Sequence, residues 1–260
     1  MKKLFVLAIA AAVWAAAGAA QAATDSGQTV PGTVPTAIGL GLRGESGLAR
    51  TPMAVALPPM TLAVAADFVA SDDLFMPFRA QFGVIQGLEL GGHYWYLDMP
   101  GDSSGYGLNV KYVFPEYVER LGLAIGGHWK KQEIGDINND GHDVYFVGSY
   151  PSGFLVPTLG VMYESITGDN DESDFRFFGS LVANILPTFA LGFEIMSPSD
   201  KLDGTDPDPA MWFGARFVPL QGLTVQAGLL NYADFGNADP DGMKDFVFHI
   251  GLQYAYGFAQ

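Results

Sequence analysis

Two acidic stretches of the chain carry the residue spacing of a calcium-binding loop. Each has oxygen-bearing side chains at its first, third and fifth positions and glycine at its sixth, namely Asp136, Asn138 and Asp140 before Gly141, and Asn237, Asp239 and Asp241 before Gly242. Ca²⁺ prefers oxygen ligands at this spacing, but Val147 and Phe248 stand where a calcium loop carries a bidentate glutamate. Asp-Gly is also a common turn sequence. Two interpretations therefore stay open, a Ca²⁺ site or plain solvated acidic loops.

The four histidines are the other residues whose type could support catalysis. No His-x-Ser sequence, which would place both side chains on one face of a strand, occurs at His93, His128, His142 or His249. Ser180 could still meet His128 from another strand, but nothing in the spacing requires it. We therefore expect no enzyme. A membrane esterase that uses His128 and His249 is the least favoured alternative.

The composition excludes several classes of protein. The chain has 260 residues with 28 acidic and 13 basic side chains, a formal charge of −15. This acidity argues against a nucleic-acid partner, because phosphate binding needs a clustered basic surface. The absence of cysteine excludes disulfides and thiolate metal sites. No run of about 18 apolar residues follows the first twenty or so, so a helical membrane protein is excluded as well.

The first residues predict export. Met1-Lys2-Lys3 precedes an apolar run, and Ala20-Gln21-Ala22 matches a cleavage site, so residues 1–22 are predicted to be a cleaved signal peptide. Residues 23–59 are rich in glycine, proline and small residues and show no regular pattern. Three interpretations stay open for them: a periplasmic tail, a plug inside a lumen, or an extra strand.

From Met60 onward, apolar residues alternate with small or polar ones. Between Phe246 and Phe258 every second residue is aromatic or aliphatic, whereas His249, Gln253 and several small residues occupy the other face. Side chains of a strand point alternately to two faces, so this pattern predicts a sheet between two environments. We predict about twelve strands, near residues 61–68, 78–84, 87–98, 106–114, 121–130, 142–150, 155–166, 175–185, 189–195, 209–218, 221–231 and 246–258.

The connections between these strands also alternate in character. One set is short and apolar or contains proline, at 84–87, 115–119, 151–153, 186–187 and 219–222. The other is longer and acidic, at 98–104, 133–141, 168–173, 197–209 and 234–242. Short turns at one end and long polar loops at the other are typical of a transmembrane antiparallel up-and-down β-barrel. We predict this all-β fold for residues 60–260. The alternative is a soluble β-sandwich or lipocalin-like barrel.

Two segments resemble known families. The last strand, ending at Phe258, resembles the C-terminal assembly signal of Gram-negative outer-membrane barrels, although Ala259 and Gln260 follow the aromatic residue. The resemblance implies location in the bacterial outer membrane, with lipid, lipopolysaccharide and the barrel assembly machinery as partners. The stretch from Gly47 to Pro58 is similar to the opening of YjbH-type outer-membrane proteins, which are associated with exopolysaccharide production.

Charged and polar side chains on the inward face are the remaining candidate site. The residues predicted to line the lumen are Arg79, Glu89, His93, Asn109, Lys111, His128, Lys130, Arg176, Glu194, Arg216 and His249. They would line a narrow pore or neutralise one another in a closed barrel, and Trp95, Met162 and Phe178 favour partial occlusion. The predicted function is a small passive channel (a porin) or a structural barrel with acidic extracellular loops. The alternative is an accessory protein in surface polysaccharide export.

Overall fold

The computed structural model describes most of the region predicted to form the barrel. The described residues are 39–41, 45–49, 51–70, 74–98, 103–114, 121–134, 137–152, 154–168, 171–199, 209–231 and 246–258. The predicted signal peptide lies outside these ranges, as do most residues of the loops predicted at 197–209 and 234–242.

All regular structure in the described residues is β-strand. Two short strands, β1 (Gly39–Leu40) and β2 (Ser46–Gly47), come first. The other strands are β3 (Thr61–Ala70), β4 (Leu74–Ile85), β5 (Leu88–Asp98), β6 (Ser103–Val113), β7 (Gly122–Ile134), β8 (Ile137–Ser149), β9 (Leu155–Gly168), β10 (Glu172–Leu186), β11 (Phe189–Met196), β12 (Ala210–Leu220), β13 (Leu223–Asn231) and β14 (Phe246–Gly257). Within the part of the chain that is described, no helix is long and apolar enough to cross a bilayer.

Strands β3 to β14 form one closed barrel. Each pairs antiparallel with its neighbours in sequence, and β14 pairs with β3 from Phe248↔Ala70 to Gly257↔Thr61, which closes the ring. Closure satisfies every strand edge, as a sheet without access to water requires. The prediction of a twelve-stranded up-and-down barrel is therefore confirmed.

The two faces of the barrel differ sharply. Large apolar side chains are exposed on the outside, with Leu159 at 75%, Phe177 at 67% and Leu108 at 64%. Charged side chains are buried on the inside, and Lys111 and Glu89 have no exposed surface at all. An outer surface of this kind is suited to lipid and not to water.

Short turns join the strands at one end of the barrel. The β4–β5 and β12–β13 connections are each a Gln-Gly pair, and Gly87 and Gly222 have φ angles of +83° and +81°. Side chains other than glycine rarely adopt this conformation, so glycine permits these tight turns. We call this the short-turn end of the barrel.

The hairpin of β7 and β8 extends further than the sequence predicts. Residues 133–141 were expected to form a loop, but the pairing continues through Lys131↔Asp140 to Ile134↔Ile137. That expectation is wrong because Lys131, Gln132 and Glu133 are polar on both faces. A strand that projects beyond an apolar environment loses the alternation that reveals it.

Candidate functional site: the filled lumen

The described residues between Gly39 and Leu57, which precede the barrel in sequence, lie inside it. Residues 39–41, 45–49 and 51–57, here called the inner segment, contact inward-facing side chains of β4 to β8, β11, β12 and β14. Contacts with strands on all sides place the inner segment within the lumen. Its apolar side chains Leu40, Leu48, Ala49, Met53 and Leu57 are at most 1% exposed.

The inner segment folds into turns of its own. β1 and β2 pair through Gly39↔Gly47 and Leu40↔Ser46, and Gly47 also bridges to Pro52. The amide of Leu48 donates to the carbonyl of Thr51 at 3.1 Å. A β-carbon on Gly47 would collide with the backbone of Thr51, so the close approach of the chain at Thr51 to Gly47 requires glycine.

Three basic side chains of the wall donate to carbonyl groups of the inner segment. Arg79 donates to Leu40 at 2.7 Å, and Arg216 donates to Gly47 at 2.7 Å. Lys111 donates to the carbonyls of Ser46 at 3.0 Å and Val55 at 2.6 Å, and also to the Ser46 hydroxyl. Charged donors form stronger hydrogen bonds than neutral ones, so these contacts fix the backbone path of the inner segment.

Acceptors on the wall bind the donors of the inner segment. Glu194 accepts from the amide of Thr51 at 3.1 Å and from its hydroxyl at 2.9 Å. Glu89 accepts from the Ser46 hydroxyl at 2.7 Å and from the amide of Leu57. The amides of Leu40 and Ala54 donate to Gln253 at 2.7 Å and to Ser149 at 2.9 Å.

One charged side chain of the inner segment meets a histidine of the wall. His128 lies 3.0 Å from Glu45 through Nε2 and 2.5 Å from Asp143 through Nδ1. A histidine between two carboxylates can donate through both nitrogens only as the imidazolium. The ring therefore connects Glu45 of the inner segment to Asp143 on β8.

Other charges of the wall neutralise one another. Asp67 on β3 pairs with Arg79 and lies 2.7 Å from Nε2 of His249, whose Nδ1 accepts from the Trp212 indole at 3.1 Å. Lys111 pairs with Glu89 at 3.1 Å. Glu164 pairs with Lys130 and, at 3.0 Å, with Arg176. Pairing of this kind offsets part of the large cost of burying charge.

The residues predicted to line the lumen all lie on the inner face. Arg79, Glu89, Asn109, Lys111, His128, Arg176, Glu194, Arg216 and His249 are buried, whereas His93 and Lys130 are partly exposed. The structure brings Arg79 and His249 together at Asp67, and Glu89 and Lys111 together at Ser46. His142 lies on the exposed outer face.

Several residues of the site are not among those predicted to line the lumen. On the wall these are Asp143, Ser149 and Gln253, and in the inner segment Glu45, Ser46 and Thr51. Asp143 shares the inward alternation of its strand and pairs directly with His128, so a prediction of register would have found it. The inner segment has no alternation, so nothing comparable points to Glu45, Ser46 and Thr51.

The large inward rings lie against the wall and not across the lumen. Trp95 pairs with Gly105, Phe178 with Gly160 and Tyr145 with Gly126 in neighbouring strands, and each ring covers the inner side of its glycine. Trp95 belongs to one buried cluster with Leu48, Ala49 and Met53 of the inner segment, so the ring and the segment together fill this part of the lumen. The glycines accept the rings and leave room for the inner segment.

The candidate calcium ligands are only partly described. Asp136, Asn237, Asp239 and Asp241 lie outside the described residues. Asn138 and Asp140 lie in β8, paired with Glu133 and Lys131. Among the described residues no group of three or more His, Asp or Glu side chains is arranged so that it could hold a metal ion. Calcium binding at these loops stays a prediction.

No family model matches this chain, and no curated protein sequence does so either. Solved structures resemble its fold. The KdgM porin, also solved in complex with disordered oligogalacturonate, has a TM-score of 0.58 at 12% identity, covering 75% of this chain and 99% of the porin. The NanC porin has a TM-score of 0.55 at 12% identity, covering 76% of this chain and 100% of the porin. None of this shows the predicted relation to YjbH-type proteins. At such low identity the likeness shows that the chain has the barrel fold of these porins.

Proposed function

We propose that the protein is an outer-membrane channel for small polar solutes whose lumen is held closed by the inner segment. The observation that carries this proposal is that the barrel encloses a stretch of polypeptide. A barrel of about eight strands has room only for its own side chains. A wall of twelve strands that accommodates a folded segment would leave a passage lined by charged and apolar side chains if that segment moved aside.

The environment of the wall supports location in a membrane. The exposed apolar side chains of β5 to β14 form a continuous surface that would be costly in water, and the charged lining is enclosed. The predicted partners follow from this proposal. Lipid and lipopolysaccharide would contact the outer face, and the assembly machinery would recognise β14.

Conductance in planar bilayers tests the channel. The wild-type protein is expected to conduct rarely, because the inner segment is hydrogen-bonded on all sides. A double variant, Ser46→Ala with Thr51→Val, removes the hydroxyl contacts to Glu89 and Glu194 and is expected to open far more often. Thr167→Ala, at an exposed position of β9, is the control and should behave as wild type.

A permanently closed structural barrel is the second candidate function. The buried pairs of Lys111 with Glu89 and of Arg79 with Asp67 favour it, because displacement of the inner segment would leave these charges with fewer partners. The double variant tests this candidate. If its shifted migration on unheated gels shows that it is folded, and it never conducts, the barrel is permanently closed. The described residues offer no support for a role in polysaccharide export or for an esterase.

A further inference from the structure

The wall recognises the inner segment mainly through backbone atoms. Wall side chains bind the backbone nitrogens of Leu40, Thr51, Ala54 and Leu57 and the carbonyl oxygens of Leu40, Ser46, Gly47, Met53 and Val55. These atoms occur in any polypeptide. The hydrogen bonds therefore place few demands on the identity of the bound residues.

The wall supplies donors and acceptors in the pattern that a buried peptide needs. Each residue of a peptide exposes one donor and one acceptor, and each is costly to bury without a partner. The carbonyls of the inner segment accept hydrogen bonds from Arg79, Lys111 and Arg216. Its amides donate to Glu89 and Glu194. If the charged side chains of the wall only neutralised one another, they would not also need to form hydrogen bonds with the backbone of the inner segment on all sides.

An apolar layer of the lumen receives the side chains of the inner segment. Leu48, Ala49 and Met53 belong to one buried cluster with wall residues, and these are Val69, Phe75, Trp95, Val156, Val182, Ala190, Trp212 and Leu230. Among the described residues of the inner segment, Glu45 alone is charged. The site thus combines hydrogen bonds to the backbone with a contact surface for uncharged aliphatic side chains.

We propose that the inner wall is a binding site for a polypeptide rich in small and aliphatic side chains, and that the inner segment occupies it as an intramolecular ligand that a separate peptide of the same sequence can replace. This inference rests on the proposed function, because a replaceable segment is what allows the channel to open. The ligand class follows from the donors and acceptors of Arg79, Lys111, Arg216, Glu89 and Glu194 and from the apolar layer.

The test uses the full chain with Ser46→Ala and Thr51→Val, in which the intramolecular segment is weakened. A synthetic peptide of residues 39–57, fluorescently labelled, is titrated against this variant in detergent and followed by anisotropy. The same peptide is added at the short-turn side of the reconstituted variant. We expect saturable binding and closure of the current at matching concentrations.

Two control peptides define what the site recognises. N-methylation at Leu40, Ala54 and Leu57 removes the donors to Gln253, Ser149 and Glu89 and is expected to weaken binding at least about tenfold. A peptide with Leu48→Asp and Met53→Asp places charge in the apolar layer and should bind equally poorly. Equal binding of all three peptides, or no binding, overturns the inference.

The two proposals fail in different ways. If the variant conducts but neither binds the peptide nor closes when the peptide is added, the peptide site is rejected and the channel is kept. If the variant binds the peptide saturably but never conducts, the channel is rejected and the peptide site is kept. If the double variant does not show the heat-dependent gel shift of a folded barrel, Thr51→Val alone replaces it in both measurements.

Discussion

The ring of Phe178 on β10 covers the inner side of Gly160, the residue directly opposite it on β9. The glycine provides a recess in the wall, so the ring lies along the barrel and not across it. Gly105 and Gly126 provide the same recess for Trp95 and Tyr145. The many small residues of the inner face are thus what permits large aromatic side chains and an enclosed segment to share one lumen.

Substitution of Gly160 by alanine is expected to destabilise the barrel. The new β-carbon would collide with the ring of Phe178, which would move toward the inner segment. Overpacking of this kind costs about 1–3 kcal/mol. Urea unfolding of the reconstituted protein measures the change in the free energy of unfolding.

Gly148→Ala on β8 is the matched control for this substitution. Its β-carbon would approach Leu123 to 3.4 Å, an ordinary van der Waals contact. We expect little change in unfolding. Equal losses in both variants would mean that glycine matters for strand formation in general and not as a recess for the ring.

Loss of the Glu45 side chain is expected to loosen the inner segment. Glu45→Ala removes the carboxylate that lies 3.0 Å from His128. A hydrogen bond to a charged group contributes about 1.5–3 kcal/mol, so the fraction of time spent open should rise about 10- to 100-fold. Glu45→Gln keeps an acceptor for Nε2 and should show a smaller rise. Single-channel recordings compare the two with wild type, and wild-type opening in both variants would show that Glu45 does not hold the segment.

The barrel itself could be predicted because its side chains face two different environments. β14 was expected at 246–258 and runs from Phe246 to Gly257, since Phe248, Ile250 and Leu252 are exposed whereas the residues between them are buried. The same alternation indicated that Lys111 and Arg216 point into the lumen. Where both faces meet water, as at Lys131 to Glu133, the alternation stops and the prediction failed.

The position of the inner segment left little trace in the sequence. It is enclosed on all sides, so its residues have no alternation between two environments. Its hydrogen bonds to Arg79 and Arg216 go to the carbonyls of Leu40 and Gly47, which every residue type possesses. Only the full set of wall side chains around it, assembled by barrel closure, determines where it lies.

Removal of the Lys111 ammonium group is expected to be strongly destabilising. Lys111→Met removes the cation that pairs with the buried Glu89 and the charged donor to the carbonyls of Ser46 and Val55. Breaking a buried pair by removing one partner costs about 3–5 kcal/mol. Urea unfolding of the reconstituted protein measures this loss.

The double variant Lys111→Met with Glu89→Gln completes the cycle. The neutral amide needs no cation and can still accept from the Ser46 hydroxyl, so the double variant should recover part of the stability. The cycle also needs the single variant Glu89→Gln. If the losses of stability in Lys111→Met and Glu89→Gln simply add in the double variant, Lys111 and Glu89 do not stabilise each other.

A charge on the outer face tests whether lipid surrounds the barrel. Phe177 lies within β10 and its side chain is 67% exposed, so Phe177→Arg places a guanidinium at a site that we assign to the bilayer interior. Such a charge costs about 2–4 kcal/mol near the bilayer midplane and almost nothing near the interface. Asn138→Arg, at an exposed position at the start of β8, is the control and should fold as stably as wild type. The comparison is made by unfolding in lipid vesicles. Equal stability of the two variants would mean that water and not hydrocarbon contacts Phe177, because only a surrounding of low polarity penalises charge according to its depth.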